Sequence, residues 1–224
     1  MKSPKLAQKR KQSAKCQLRT PTNLYRSQVH RTNKVTMNSI SRSLKRSVLR
    51  AGHRQVQLGR NASSLVVVEH DGSSISPGAL AAVTAASKVG GNVDCLVMGS
   101  AIGDIAKKAG EIMGVSKVLS VDNSALTKSV AENSAKTLLE VLGANAYTHV
   151  FAPASNNGKN YLPRAAALMD ASPLTDITGV ISEDTFQRPM YAGNAIATVQ
   201  MHDAVKFLLV RATAFEKAEE TGGR

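Results

Sequence analysis

From Ser64 onward the chain alternates between short, continuous apolar runs and longer segments with helical spacing. The first run, Leu65 to Glu69, predicts a buried strand. Ser76 followed by Pro77 predicts a helix start, because Ser caps a helix and Pro suits its first position. Further strands are predicted at 93–98, 117–121 and 148–154, and further helices at 102–113, 127–142 and 158–169. Glycines at positions 90–91, 114 and 143 are predicted to end the first three helices.

This alternation predicts the fold class. Continuous apolar strands separated by helices indicate right-handed crossovers and a mainly parallel sheet with helices on both faces, a three-layer α/β sandwich. After Pro173 the pattern changes, and segments 176–181, 190–200 and 205–211 read as strands joined by turns. We predict that the last two pair as a C-terminal antiparallel hairpin.

Charge divides the chain in two. Sixteen of the 29 Lys and Arg residues lie between Lys2 and Arg60, and the first acidic residue is Glu69. The formal charge of +13 therefore belongs to the first 63 residues, while the remainder is mildly acidic. This asymmetry argues against a nucleic-acid-binding body, and the absence of Trp argues against a stacking platform for single strands. A leader rich in Ser, Arg and Lys without acidic residues is typical of organellar transit peptides.

Within the leader, Met37 opens a segment with the properties of a complete presequence. In a helix, apolar residues would line one face and arginines the opposite face: Ile40, Leu44 and Val48 against Arg42, Arg46 and Arg50. Such a helix binds anionic membrane surfaces and import receptors. Residues 1–36 add charge but no clear helical face, so they are a candidate spurious extension, with Met37 the initiator. The alternative is a disordered basic tail that contacts RNA or acidic partners.

The body of about 160 residues has the size of one domain. It contains no apolar run long enough to span a bilayer, so we expect a soluble mature protein without a membrane span. Cys16 lies in the leader and Cys95 in a predicted strand, which leaves the body without an internal disulfide and suits a reducing compartment.

Candidate chemistry in the body is sparse. His70, His149 and His202 are scattered without a second ligand at metal spacing, so we predict no metal site. The segment Gly99 to Gly103 could face a phosphate, but it lacks the third glycine of the dinucleotide motif, which favours a plain tight turn. No nucleophile–base pair is visible, so no catalytic residue is predicted. The residues alone indicate an α/β domain whose function, if it binds a ligand, is nucleotide-related.

The loops after the fourth strand are more specific. The informative segments are 154–166 (ASNNGKNYLPRAA), 172–177 (SPLTDI), 191–195 (YAGNA) and 210–215 (VRATAF). In that order and spacing they resemble the N-terminal domain of the electron transfer flavoprotein alpha subunit. The segments 65–70 (LVVVEH) and 91–97 (GNVDCLV) agree with the same family, so the resemblance covers about Ser64 to Gly223.

The resemblance implies an electron carrier, not an enzyme. It implies a mitochondrial matrix protein that forms a heterodimer with a beta subunit, which is expected to hold AMP. The complete complex would take electrons from acyl-CoA and related dehydrogenases on FAD and pass them to a membrane-bound quinone oxidoreductase. The implied fold is adenine-nucleotide-hydrolase-like, or Rossmann-like. The alternative function is a stand-alone nucleotide-binding α/β module.

The resemblance also implies a domain organisation. Residues 1–63 would be the transit leader, 64–212 the platform domain that packs against the beta subunit, and 213–224 the start of a linker. In the family, a C-terminal domain of about 110 residues or more follows the linker and holds most of the FAD. The resemblance therefore implies that the chain is a fragment, a truncated gene model or one part of a split subunit, and we expect that it does not bind FAD alone.

The matched loops supply the candidate interface or structural residues: Gly158, Asn160, Pro163, Arg164, Asp176, Tyr191, Gly193 and Asn194. Gly158 and Pro163 are expected to flank the start of a helix that Asn160 caps. Arg164 is expected to reach Asp176 or the partner subunit, and segment 191–194 to form a bend where another backbone comes close. Two interpretations stay open: these residues fix the domain's own loops, or they contact the partner subunit or the FAD domain.

Overall fold

The computed structural model describes residues 62–221, and the leader predictions, including the helix after Met37, lie outside that range. The described chain forms nine strands and four α-helices. In chain order they are β1 (Ser63–Val68), α1 (Pro77–Val89), β2 (Asn92–Gly99), α2 (Gly103–Gly110), β3 (Val115–Asp122), α3 (Ala131–Ala144), β4 (His149–Pro153), α4 (Asn156–Leu168), β5 (Pro173–Ile177), β6 (Gly179–Val180), β7 (Thr185–Met190), β8 (Ala195–Gln200) and β9 (Lys206–Val210).

Six strands form one parallel sheet in the order β3-β2-β1-β4-β9-β5. The other three, β6-β7-β8, form a separate antiparallel sheet. The chain runs from β1 outward to β2 and β3, and later returns to the other side of β1 with β4. Strand order therefore reverses at β1, and in open α/β sheets ligands bind beyond the carboxyl ends of the strands at such a point.

The central strand β1 shows why the sheet is covered on both faces. Its residues alternate between two buried clusters: Val66 and Val68 pack with α1 and α2, whereas Leu65 and Val67 pack with α3 and α4. A strand buried on both faces reads as a continuous apolar run. The predicted three-layer α/β sandwich is confirmed.

The local signals for α1 are also confirmed. Ser76 accepts a hydrogen bond from Gly78 N at 3.3 Å, and Pro77 occupies the first helical position. At the other end Gly90 adopts φ 87°, a left-handed conformation that favours glycine. Cys95 lies fully buried in β2, and burial raises the pKa of its thiol to about 12, as expected for an inert core residue.

The predicted hairpin is wrong in its partners, although an antiparallel sheet is present. Segment 195–200 pairs with β7, a strand that the sequence pattern did not show, whereas 206–210 inserts in parallel between β4 and β5. Burial explains the difference. Strand β9 is almost entirely buried and suits the interior of the parallel sheet, while β8 is mostly exposed and suits a surface sheet.

Two predicted helices differ at their ends. Helix α3 begins at Ala131 instead of 127, because a 3-10 turn at Ser124–Leu126, capped by the Asn123 side chain, precedes it. Gly143, predicted to end this helix, lies within it. Helix α2 ends at Gly110, three residues before the predicted end. Among residues 62–221, no helix has both the length and the apolar character needed to cross a membrane.

Candidate functional site

A cavity of about 310 Å³, the β1 cavity, lies beyond the carboxyl ends of β1 and β2, beside the start of α4. It sits at the reversal of strand order, where the fold places ligand sites. Its wall includes apolar side chains from Val67, Met98 and Leu126 and polar side chains from Glu69 and Tyr161.

Glu69, which is partly buried, and Tyr161, which is buried, are two polar groups of this cavity. Burial raises the pKa of the Glu69 carboxyl, and hydrogen bonds from the Ser155 hydroxyl and the Gly158 N–H partly offset that rise. The Ser155–Glu69 bond measures 2.7 Å. Tyr161 is 4% exposed, and its hydroxyl has no hydrogen-bond partner in the described structure. Burial and the nearby Glu69 carboxylate hold the pKa of Tyr161 well above its usual range.

Two of the scattered histidines, His70 and His149, make hydrogen bonds within the fold. His70 Nδ1 accepts from Gly72 N at 3.2 Å, which leaves Nε2 to donate to the Met98 carbonyl, also at 3.2 Å. His149 is buried: its Nε2 donates to the Glu183 carbonyl at 2.5 Å, and burial lowers the pKa of its ring. Within the described range no group of three or more His, Cys, Asp or Glu side chains is placed to hold a metal ion.

The glycine segment between β2 and α2 forms a tight turn. Ala101 N–H, which could have faced a phosphate, donates instead to Asp122 Oδ1 at 3.0 Å. A fixed carboxylate on this amide disfavours an anion there. The expectation of a plain tight turn at Gly99 to Gly103 is confirmed.

A second cavity, of about 450 Å³, lies between the edge strand β5 and the turn that joins β7 to β8. We call it the edge cavity. It brings together Asp176, Tyr191 and Gly193 from the predicted set with three basic residues, Lys159, Arg188 and Arg211. Lys159 Nζ lies 3.5 Å from Asp176 Oδ1, and Arg188 Nε is buried and has no hydrogen-bond partner among residues 62–221. The edge cavity is therefore basic and is bounded by only one carboxylate.

The backbone around the edge cavity is strained. Asp176 has φ 56° where the pairing of β5 with β9 shifts register, and Tyr191, Ala192 and Gly193 have φ 49°, 57° and 94° in succession. Asp176, Tyr191 and Ala192 are three of the six residues other than glycine with positive φ in the described chain. Such outliers persist only where the surroundings impose them, and they concentrate at functional sites.

Next to this strained turn the small sheet presents apolar side chains to solvent. Tyr191 is 78% exposed and Ile196 69%, and Met190 and Ile181 are also exposed. Met190 pairs with Ala195 and Pro189 with Ile196, so most of this group sits at one end of the β7–β8 hairpin. We call Met190, Tyr191 and Ile196 the hairpin tip. Exposed apolar side chains gathered at one place mark a contact surface more often than scattered ones do.

The structure corrects several roles within the predicted set. Ser155, not Asn160, caps α4, since its hydroxyl accepts from Gly158 N at 2.9 Å. Gly158 and Pro163 lie inside α4 and do not flank its start. Arg164 Nη1 pairs with Glu132 Oε1 of α3 at 3.0 Å, while Asp176 pairs with Lys159. Arg164, Asn160 and Pro163 lie outside the lining of the edge cavity.

Gly158, although it lies inside α4, and Asn194 keep structural roles close to those predicted. A Cβ added at Gly158 would overlap the carbonyl oxygen of Pro153, so glycine permits the close approach of α4 to β4. Asn194 N–H donates to the Tyr191 carbonyl at 3.1 Å and closes the bend between β7 and β8.

Sequence reasoning missed Ser155, Arg188 and the orphaned hydroxyl of Tyr161. The role of Ser155 could have been predicted from the sequence, because Ser followed by polar residues and a helical pattern indicates an N-cap. The role of Arg188 could not, since its place in the edge cavity depends on the pairing of β7 with β8. The lone hydroxyl of Tyr161 depends on tertiary packing alone.

Comparisons with known proteins agree with the architecture. The family model described as "Electron transfer flavoprotein domain" matches residues 64–224. A Pseudomonas aeruginosa electron transfer flavoprotein subunit alpha is 47% identical over 159 residues, covering 71% of this chain and 51% of that protein. A Dictyostelium discoideum mitochondrial subunit alpha is 44% identical over 168 residues, covering 72% and 47%. A probable mitochondrial subunit alpha from Schizosaccharomyces pombe is 37% identical over 189 residues, covering 83% and 55%. The chain spans about half the length of these curated relatives.

Proposed function

This chain belongs to the electron transfer flavoprotein family, and from that premise we propose that residues 64–212 are the platform domain of an alpha subunit. The platform packs against a beta subunit, and residues 213–224 begin a linker. In the complete complex, electrons pass from acyl-CoA and related dehydrogenases through FAD to a quinone oxidoreductase and the respiratory chain. The chain is a carrier subunit and not an enzyme.

The observation that carries the pairing proposal is the hairpin tip. Tyr191 and Ile196 expose most of their apolar surface, and the backbone at Tyr191 and Ala192 is held in a left-handed conformation. Aromatic side chains at the centre of an interface supply much of its binding energy. The basic edge cavity beside the tip adds Arg188 and Arg211, which suit carboxylates on the beta subunit.

The location proposed for the protein is the mitochondrial matrix. Two of the compared eukaryotic relatives carry the word mitochondrial in their names. The basic, acid-free composition of residues 1–63 gives independent support, since transit peptides share it. Residues 1–63 are therefore proposed to be a transit leader that is removed on import.

The β1 cavity and the edge cavity do not fit FAD. The β1 cavity has no Lys or Arg in its lining for a diphosphate. The edge cavity is basic, but at about 450 Å³ it is at the small end of the range for drug-sized ligands, and FAD is larger. We therefore propose that most groups holding FAD lie outside residues 62–221, and that AMP, where present, belongs to the beta subunit. Purified residues 64–224 should show no flavin absorbance after incubation with FAD and dialysis.

A stand-alone nucleotide-binding module is the weaker candidate. It has the right place in the fold, the β1 cavity, but needs a phosphate cradle. The Ala101 N–H already donates a hydrogen bond to Asp122, and no Lys or Arg is among the described residues that line the cavity. The described residues of the β1 cavity therefore give no support for binding the phosphate of a nucleotide.

The pairing is tested by co-expressing residues 64–224 with an electron transfer flavoprotein beta subunit and measuring molar mass by light scattering after size exclusion. We expect a 1:1 complex. A domain that folds, by circular dichroism, yet elutes as a monomer with beta in excess at tens of micromolar contradicts the platform role.

A further inference from the structure

The hydroxyl of Tyr161 is one of three buried side-chain groups in the described chain that have no hydrogen-bond partner. The side chain lines the β1 cavity from α4, is 4% exposed, and its oxygen has no hydrogen-bond partner. Buried hydroxyls in proteins nearly always have a partner, and an exception calls for an explanation. A ligand in the adjoining cavity would supply that partner.

Glu69 indicates which kind of ligand suits the cavity. The donors that reach its carboxylate are the Ser155 hydroxyl and the Gly158 N–H. A carboxylate offers about four acceptor positions, so capacity remains for donors from the cavity side. The Tyr161 hydroxyl can also accept. Two acceptors in one partly buried wall, Glu69 and Tyr161, match a ligand that presents N–H groups.

The charge of the lining excludes an anionic ligand. Glu69 and Asp71 are the charged residues among those that line the cavity, and no Lys or Arg is among them. A phosphate placed here would face carboxylates in a partly desolvated site without a compensating cation. This sets the β1 cavity apart from the phosphate sites that other proteins build at the same place in the fold.

The other lining residues indicate the size and polarity of the remaining part of the ligand. Val67, Met98 and Leu126 give an apolar side to the cavity, and the ring of Tyr161 adds an aromatic surface. A volume of about 310 Å³ is at the lower end of the range for small-molecule sites. A compact ligand with one apolar or planar part therefore fits.

We propose that the β1 cavity binds a small molecule that carries an amino or amidino group and no phosphate, with Glu69 and Tyr161 receiving its N–H groups. This site is separate from the hairpin tip, and its lining shares no residue with the edge cavity. Ligand binding in the β1 cavity is therefore independent of pairing with the beta subunit.

Isothermal titration of the full chain with three probes tests the proposal. Adenosine is a neutral planar amine, agmatine is a guanidinium with an apolar stem, and AMP is adenosine with a phosphate added. We expect at least one of the first two to bind, and AMP to bind at least about tenfold more weakly than adenosine, a difference of about 1.4 kcal/mol. Absence of binding by both adenosine and agmatine overturns the proposal, as does AMP binding as tightly as adenosine.

Variants locate the binding. Tyr161→Phe removes only the unpartnered oxygen, so the fold should keep its stability while affinity for the bound probe falls roughly tenfold. Glu69→Gln should weaken agmatine more than adenosine, because only agmatine carries a full charge. The matched control is Ser116→Ala, which removes an exposed hydroxyl at the start of β3, outside the β1 cavity and the edge cavity, and should leave affinity unchanged. Equal affinity in Tyr161→Phe and the parent chain refutes the site.

Discussion

The hydroxyl of Ser155 donates a hydrogen bond to Glu69 Oε1 at 2.7 Å while it accepts one from Gly158 N at 2.9 Å. One side chain thus caps α4 and ties the helix to the end of the central strand β1. The same contact partly offsets the burial of the Glu69 carboxylate. The contact that stabilises the start of α4 therefore also holds Glu69 in the wall of the β1 cavity.

Ser155→Ala should therefore cost more than the loss of an ordinary cap. Ser76 caps α1 without contacting a carboxylate, so Ser76→Ala is the matched control and should cost about 1 kcal/mol. Ser155→Ala also removes a hydrogen bond to a partly buried charge and should cost roughly 2–3 kcal/mol. Urea unfolding of the two variants measures the difference. Equal losses would show that the Glu69 contact adds nothing to stability.

His149 should make stability fall on mild acidification. Burial lowers its folded pKa below the ordinary value of 6.5, so near and below pH 6.5 the unfolded chain takes up a proton that the folded chain does not. This contribution to the free energy of unfolding is fully present above pH 6.5 and is lost as pH falls toward the folded pKa. Urea unfolding at intervals between pH 7.5 and pH 5 follows it.

His149→Gln removes the titration but keeps an N–H donor for the Glu183 carbonyl. Its stability should be lower overall, because the stacking on Phe151 is lost, and should depend less on pH in this range than that of the parent. His202→Gln alters an exposed histidine and serves as the control. A parent-like pH slope in His149→Gln would assign the acid sensitivity to other groups.

The first four strands of the parallel sheet were predictable because local sequence determines them. The run at 65–68 is apolar throughout, and a strand enclosed by helices on both faces needs that. The partners of 195–200 and 206–210 were not predictable, because both segments have strand character and only burial against β4 and β5 separates them. The same limit applies to the candidate site: Asp176 meets Lys159 and Arg164 meets Glu132 through helix packing that spacing along the chain does not encode.

The hairpin tip should dominate affinity for the beta subunit. Tyr191→Asn removes the ring while suiting φ 49°, since Asn tolerates the left-handed conformation, and Ile196→Thr keeps the β-branch that favours a strand. Together they should raise the dissociation constant roughly 10- to 100-fold. Leu168→Ser, at an exposed position at the end of α4, is the control and should have little effect. If the control weakens binding as much as the double variant, the interface lies elsewhere.

Import should depend on the arginine face of the leader. A reporter fused to residues 37–70 should enter mitochondria and be cleaved near positions 60–64. Changing Arg42, Arg46 and Arg50 together to Glu should abolish entry, because the helix would then repel anionic membrane surfaces. Changing the same three to Lys preserves the charge and should preserve import. Entry of the Glu variant would refute the amphipathic presequence.

Gly158 and Gly143 should respond in opposite ways to alanine, although both lie inside helices. At Gly143 an added Cβ meets nothing within 4 Å, so Gly143→Ala should stabilise the chain by about 0.5–1 kcal/mol through reduced entropy of the unfolded state. At Gly158 the same atom would overlap the Pro153 carbonyl, forcing α4 away from β4. Gly158→Ala should therefore destabilise by roughly 2–3 kcal/mol.

Thermal and urea unfolding of both variants measures the difference in stability. Because both glycines lie inside helices, helix position alone cannot explain stability changes of opposite sign. Displacement of α4 would also move Ser155 and Tyr161. Gly158→Ala should therefore weaken the binding of any ligand in the β1 cavity, whereas Gly143→Ala should leave that binding unchanged. A neutral or stabilising Gly158→Ala would mean that α4 can move away from β4 without loss, and that the close approach at Pro153 does not position the cavity wall.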